Sequence, residues 1–202
     1  MNTYVPKNFV LPTLENLSPK QIEVHLKLYQ GYVTHVNLIR EKIVELQADS
    51  EKNSYLLSEL RRRFAFEFDG MRMHEYYFEQ FEGKAKEIDP LSTLVGLVSD
   101  KYGDWQKFIE HFRTVSMSRG IGWGVLYYDP VGNVPHVVYV GDHELGQLAG
   151  LPIILALDMW EHAFMVDYTP AEKKNYIDAF FKNLNWEVVE KRFAVSSTTP
   201  TK

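Results

Sequence analysis

Asp158, Trp160, Glu161 and His162 stand together in the run Leu157-Asp-Met-Trp-Glu-His-Ala-Phe-Met-Val-Asp-Tyr168. A carboxylate and an imidazole four positions apart can converge on one point, and both are ligands for first-row metals of borderline hardness. Trp160 between them can shield that point from bulk water. Spacing alone is a weak guide, because Asp-x-x-x-His also arises as a surface pair one helical turn apart. With no cysteine in the chain there is no thiolate ligand, disulfide or cysteine nucleophile, so any metal must be held by His, Asp or Glu.

Elements that would position such a site are legible from period and punctuation. Ser18 is a cap, Pro19 suits the first helical position, and Gln21 is placed to close a capping box. Ile22, Leu26, Tyr29, Val33 and Val36 follow as an amphipathic stripe. A second helical region spans Ser54 to Phe81 with an interruption at Asp69-Gly70, and Pro90 marks a boundary. This divides the chain into an N-terminal α-helical hairpin, 1–87, and a C-terminal α+β domain, 88–202. The second part opens with a short helix, Leu91–Val98, and a longer one from Asp104 that carries Trp105, Phe108, Phe112 and Val115 on one face. Gly122–Tyr128, His136–Val140 and Leu151–Leu157 read as three strands of an antiparallel sheet, the first two joined by a turn at Asp129–Asn133. Thr169-Pro170-Ala-Glu172 is a capping box for a final helix through Tyr176, Phe180 and Leu184, and the polar tail 196–202 reads as disordered.

Composition narrows the function classes. Apolar residues at 45% and aromatics at 14% of 202 residues suffice for a packed core. No apolar run is long enough to cross a bilayer, and the first ten residues lack the pattern of a secretory signal, so a cytoplasmic location is expected. A net charge of −5 argues against a general nucleic-acid binder.

The remaining histidines decide whether Asp158 and His162 have company. His25 lies on the first helix with Tyr32 seven residues on, nearly two turns away on the same face. His74 sits in an aromatic-rich stretch, with Met71, Phe78 and Phe81 at its helical phase. A single histidine on an apolar face is more often a hydrogen-bonded core residue than a ligand. His35 and His111 fall on helices in solvated or capping positions, and His136 opens a strand beside a turn.

The run Asp158-x-Trp160-Glu161-His162-Ala163 resembles the Asp-x-Trp-Glu-His-Ala motif of the iron/manganese superoxide dismutases. Glu23-Val-His25 ahead of Tyr32-Val33, His74-Glu-Tyr-Tyr-Phe78, Gly122-Trp123 and Asn185-Trp186-Glu187 are similar to further motifs of that family, in order, over residues 8–193. The resemblance implies that His25, His74, Asp158 and His162 hold one Fe or Mn ion per subunit, walled by Tyr77, Phe78, Trp123 and Trp160. It implies disproportionation of superoxide to dioxygen and hydrogen peroxide. It also implies a homodimer or a tetramer in which Glu161 pairs with His162 of the neighbour. Three neutral imidazoles and one carboxylate leave a trivalent ion with residual positive charge for a small anion. The rival from another class is a non-catalytic structural protein on the same fold. A second rival, a different oxidative chemistry at the same ligands, generally needs more open positions than three His and one Asp leave.

Four departures from the family pattern matter. The stretch from His25 to Tyr32 is one residue shorter than usual, and Leu28-Tyr29 replaces a His-His pair. Met165 stands where a tyrosine would pair with one of those histidines, so both halves of a polar contact are apolar here. Tyr32 remains the gate candidate. The glutamine that holds metal-bound solvent in the family is missing from both its usual places, which are occupied by Gly70 and His143; His143 is the expected replacement, and a lightly perturbed histidine would titrate near neutrality. Ala156 matches neither the glycine of manganese types nor the threonine of iron types, so metal preference stays open. Thr169 and Glu172 replace arginines; Lys27, Lys173 or Lys174 are the remaining sources of a positive field, with a solvated helix face the ordinary reading of the lysine pair.

Overall fold

The Ser18 hydroxyl accepts a hydrogen bond from the Gln21 amide at 3.0 Å, and with Pro19 in the first position it starts helix α1. In the computed structural model, which describes residues 2–198, α1 runs from Pro19 to Gln47. Its buried line is Gln21, His25, Tyr29, Val33, Val36 and Ile39, while Ile22 and Leu26 are only partly buried. The expected stripe is displaced because two polar residues head the buried face, and hydrophobicity alone cannot place them. The capping box is half formed, since the Gln21 side chain turns inward instead of back to Ser18.

Helix α2, Ser54–Glu79, packs along α1 and passes unbroken through Asp69-Gly70. The expected interruption is absent for a packing reason. A Cβ at Gly70 would lie 2.7 Å from Tyr32 Cδ1, so this glycine admits the α1 tyrosine rather than ending the helix. Glycine inside a helix costs about 1 kcal/mol relative to alanine, a local loss that the close approach of Tyr32 makes necessary.

Helices α3, Thr93–Tyr102, and α4, Trp105–Ser116, are capped by the side chains of Ser92 and Asp104. The α3 boundaries lie later than periodicity implied. Strands β1 (Gly122–Asp129), β2 (Val134–Gly141) and β3 (Ile153–Asp158) form an antiparallel sheet in the order β2-β1-β3. Register places Trp123 of β1 between Val140 of β2 and Asp158 of β3. Helix α4 covers β1 and β2, while α2 and the C-terminal helix Trp186–Thr198 pack on β3. The architecture is thus the expected helical hairpin followed by an α+β part with a three-stranded antiparallel sheet.

The C-terminal segment differs from expectation. The box at Thr169 and Glu172 forms, but it caps a 3-10 turn, Pro170–Glu172, that leads into α5, Lys173–Asn183. The chain then extends at Leu184, where Asn185 N donates to Gln80 O and Trp186 N to Lys86 O, before α6 runs from Trp186 to Thr198. Main-chain pairing with the 80–86 segment, invisible to helical periodicity, splits the helix. Ser196–Thr198 are helical rather than disordered, and 199–202 lie outside the described residues. Among the described residues no helix is long and apolar enough to cross a membrane.

Gln80, at the end of α2, ties the helical hairpin to the sheet. Its Nε2 donates to Ala156 O and its Oε1 accepts from Ala156 N, both at 2.8 Å, in a fully buried position. Gln80→Leu leaves both main-chain groups of β3 without partners. Each such group costs roughly 1–3 kcal/mol, so chemical denaturation should show a loss of about 2–4 kcal/mol. A loss under about 0.5 kcal/mol, the range of ordinary surface substitutions, would show that the clasp contributes little.

Candidate metal centre

Four separate elements deliver the candidate ligands. His25 comes from the second turn of α1, His74 from α2, Asp158 from the end of β3, and His162 from a 3-10 turn, Glu161–Ala163, that follows β3. One ligand atom from each lies within 4.8 Å of all the others. Asp158 Oδ2 is the hub, at 3.0 Å from His25 Nε2, 3.2 Å from His162 Nε2 and 3.6 Å from His74 Nε2. The side chains of His25, His74 and Asp158 are fully buried, and that of His162 keeps 15% exposure. The cluster therefore opens only on the His162 side.

Proton placement tests whether a cation fits. His74 Nδ1 lies 2.6 Å from Gly70 O, an acceptor, so that nitrogen carries the proton and Nε2 presents a lone pair to the cluster. This lone pair faces His162 Nε2 at 3.3 Å and the Asp158 carboxylate. Burial lowers the pKa of both His25 and His74, the latter strongly, keeping these rings in the neutral, ligating form. Burial alone would raise the Asp158 carboxyl, but its contacts with His162 and His25 outweigh it and hold the group far below the carboxylate range. A lone pair of His74 directed at an ionised carboxylate, with no proton between them, is what a cation site requires. Nitrogen and oxygen donors without sulfur suit iron or manganese.

The surroundings hold the carboxylate in place. Asp158 Oδ1 accepts from Trp160 N at 2.8 Å, and Asp158 O accepts from Tyr176 Oη at 2.7 Å. Because the Tyr176 proton is committed there, Tyr77 donates in the 3.1 Å hydroxyl pair between the two tyrosines. The rings expected to wall the site stand against the ligands: Tyr77 and Phe78 against His25, Trp123 against His74, Trp160 against His162. Sequence reasoning missed Tyr176, because a tyrosine at helical phase reads as core and nothing marks its hydroxyl as a partner for a strand carbonyl.

Tyr32 and His143 meet beside this cluster. The indole of Trp123, donor only, gives its hydrogen to His143 Nδ1 at 3.0 Å, so Nε2 bears the ring proton and donates to Tyr32 Oη at 2.7 Å. His143 is fully buried and stacked on Trp160 with ring centroids 4.7 Å apart. Burial pushes its pKa down to about 4, so this ring is neutral at ordinary pH and does not titrate near neutrality as the sequence suggested. Burial likewise raises the Tyr32 hydroxyl well above its usual value, which keeps its proton in place. Arg63 on α2 is a cation acting on both residues; its guanidinium lies 3.8 Å from the Phe66 ring, which in turn packs against His143. Lys173, one of the lysines expected to provide a positive field, instead lies 5.5 Å from the Phe164 ring.

The other histidines stay apart from the cluster. His35 is exposed and 3.7 Å from Glu67, His111 stacks on Tyr102, and His136 is half-buried near Lys101.

Comparison with known proteins points the same way as the geometry. The family described as "Iron/manganese superoxide dismutases, C-terminal domain" matches residues 90–192. The chain is 34% identical to a protein named Superoxide dismutase [Fe] from Aquifex pyrophilus, over 93% of this chain and 90% of that one. It is 29% identical to a Superoxide dismutase [Fe] from Saccharolobus solfataricus, over 93% and 90%. It is also 30% identical to a Superoxide dismutase [Mn] from Mycolicibacterium paratuberculosis, over 86% and 83%.

Proposed function

We infer the parts played by individual residues from one premise: the chain belongs to the iron/manganese superoxide dismutases and disproportionates superoxide at a single iron or manganese ion. In this reading His25, His74, Asp158 and His162 hold the ion. The observation that carries it is the convergence of three imidazole nitrogens on one buried carboxylate oxygen. Held by these residues, the ion would supply one-electron redox chemistry, by which two superoxide anions and two protons become dioxygen and hydrogen peroxide. Two ligands come from 1–87 and two from 88–202, so on the proposed division the site forms at the junction of two parts.

The protein's own task is to keep that chemistry dry, anion-accessible and supplied with protons. Burial of three ligands excludes water from the cluster. Both ring nitrogens of His143 are engaged, so we propose that His143 acts on the site through Tyr32. Held by the His143 Nε2–H, the Tyr32 oxygen leaves its own O–H as the donor that faces the reaction. Tyr32 is then the proton-donating gate, His143 its positioning residue, and Trp123 the group that sets the histidine tautomer.

We also propose a cytoplasmic homodimer or tetramer. Glu161 is exposed beside His162, whose outer edge is the least buried part of the cluster, and Met165 and Val166 add exposed apolar surface at 48% and 47%. A second subunit placed there would let Glu161 orient the neighbour's His162.

Three measurements test this reading. His74→Ala should reduce bound iron or manganese to a small fraction of one per chain and abolish activity, because a buried site has no substitute ligand; a full complement of metal would overturn the ligand set. Glu161→Gln should shift sedimentation toward monomer and weaken metal retention on the order of tenfold, whereas unchanged sedimentation and metal content would exclude the bridge. His143→Leu should keep its metal yet lose turnover by roughly tenfold or more, since general acid catalysis contributes about that much or above. Wild-type turnover in metal-replete His143→Leu would remove His143 from the proton path.

A further inference from the structure

Of the four candidate ligands, His162 has the least secondary structure beneath it. It sits in a three-residue 3-10 turn, followed by irregular chain up to Pro170. Something outside the segment must fix it. Gln21 is fully buried one turn before His25 on α1, and its amide points into this segment. Nε2 donates to His162 O at 2.6 Å, and Oε1 accepts from Val166 N at 2.9 Å. The orientation of the amide is unambiguous, because a carbonyl only accepts and an N–H only donates. Ser18 N donates to Asp167 Oδ2 at 2.6 Å, and the Tyr168 hydroxyl donates to Asn16 O, so the chain just before Gln21 is stitched to the same segment.

We propose that Gln21 is the positioning residue for His162, fixing the distance between the segment that carries His162 and the helix that carries His25. The inference rests on the reading of His162 as a ligand. Val166 is half exposed at 47%, yet its amide is committed to Gln21 instead of solvent. One side chain on α1 thus takes up two main-chain groups of the ligand segment and lies one turn from another ligand. The geometry of His25 and His162 is set by protein contacts before an ion arrives. An apolar residue at position 21 would fill the space but leave His162 free to swing on its turn.

The test uses Gln21→Met, which keeps the volume and removes both hydrogen bonds, with Asn183→Leu as a control. Asn183 is a comparable buried clamp away from the site, holding Glu15 N and Glu15 O at 2.7 Å each. In metal-loaded protein, Gln21→Met should surrender its ion to a chelator on the order of tenfold faster than wild type, the scale on which groups orienting a ligand act. Asn183→Leu should release it at the wild-type rate. Equal rates in Gln21→Met and wild type, or equal acceleration in both variants, would overturn the proposal. Should Gln21→Met fail to fold, hydrogen exchange in wild type decides: the Val166 amide should be protected to the level of α1 amides, and exchange at the rate of an open loop would overturn the clamp. Metal binding by His162→Ala separates the two questions, since full occupancy there would fail the ligand assignment while leaving the exchange of Val166 as an independent measure of the clamp.

Discussion

The constraint from which the structure follows is an ionised carboxylate with no solvent exposure. Asp158 is fully buried, and an uncompensated charge in that position would be prohibitively costly. Compensation arrives from every direction that the fold offers. Imidazoles approach from both helices of the hairpin and from the segment after β3, Trp160 N binds the second carboxylate oxygen, and Tyr176 holds the main chain. Because His74 presents a lone pair and not an N–H to this carboxylate, a bound cation would supply the positive charge that the hydrogen bonds do not. The long hairpin, the small sheet and the tyrosine pair from α2 and α5 are the arrangement that brings these groups to one point while keeping water from it.

That constraint also explains which parts were legible beforehand. Asp158 and His162 could be found because their residue types and separation recur with Trp160 and Glu161, and His25 and His74 because each sits in a motif of the same family. Caps at Ser18, Ser92, Asp104 and Thr169 form through local hydrogen bonds that a short stretch of sequence encodes. What escaped were polar residues whose partners lie far along the chain. Gln21 reaches 141 positions to His162 O, and Gln80 reaches 76 positions to Ala156, so neither declares its role to a local window. In a local window Gln21 reads as half of a capping box, and Gln80 carries no signal. The split between α5 and α6 has the same origin, since Asn185 and Trp186 satisfy their amides on Gln80 O and Lys86 O rather than within a helix.

Leu28-Tyr29 in place of a His-His pair shows a departure being absorbed locally. Tyr29 turns its ring into the core and its hydroxyl accepts from Lys7 N at 2.9 Å and donates to Glu75 Oε1 at 3.1 Å. The position has thereby changed from a polar surface partner to an anchor for the N-terminal segment, while Leu28 stays exposed at 39%. Burial pushes the Tyr29 hydroxyl up to about 12, so it remains a neutral donor. Tyr32 still falls on the face of His25 because α1 is continuous, and seven residues make nearly two turns.

Gly70 and His143 are two halves of one choice of volume. In the resembling family a glutamine reaches the site from α2 or from the end of β2, and here neither place has one. A Cβ at position 70 would meet Tyr32 Cδ1 at 2.7 Å and His143 Cδ2 at 3.2 Å, so a side chain on α2 and the present Tyr32–His143 contact exclude each other. The same glycine offers its carbonyl to His74 Nδ1, fixing the tautomer of a candidate ligand from the very position that admits Tyr32. A larger residue at 70 would therefore act twice, by pushing Tyr32 away from His143 and by straining the backbone that orients His74. Histidine at 143 is coupled to glycine at 70 by sterics, to Trp123 by the direction of one hydrogen bond, and through Tyr32 to His74. The proposed proton path and the candidate ligands are consequently a single packed unit.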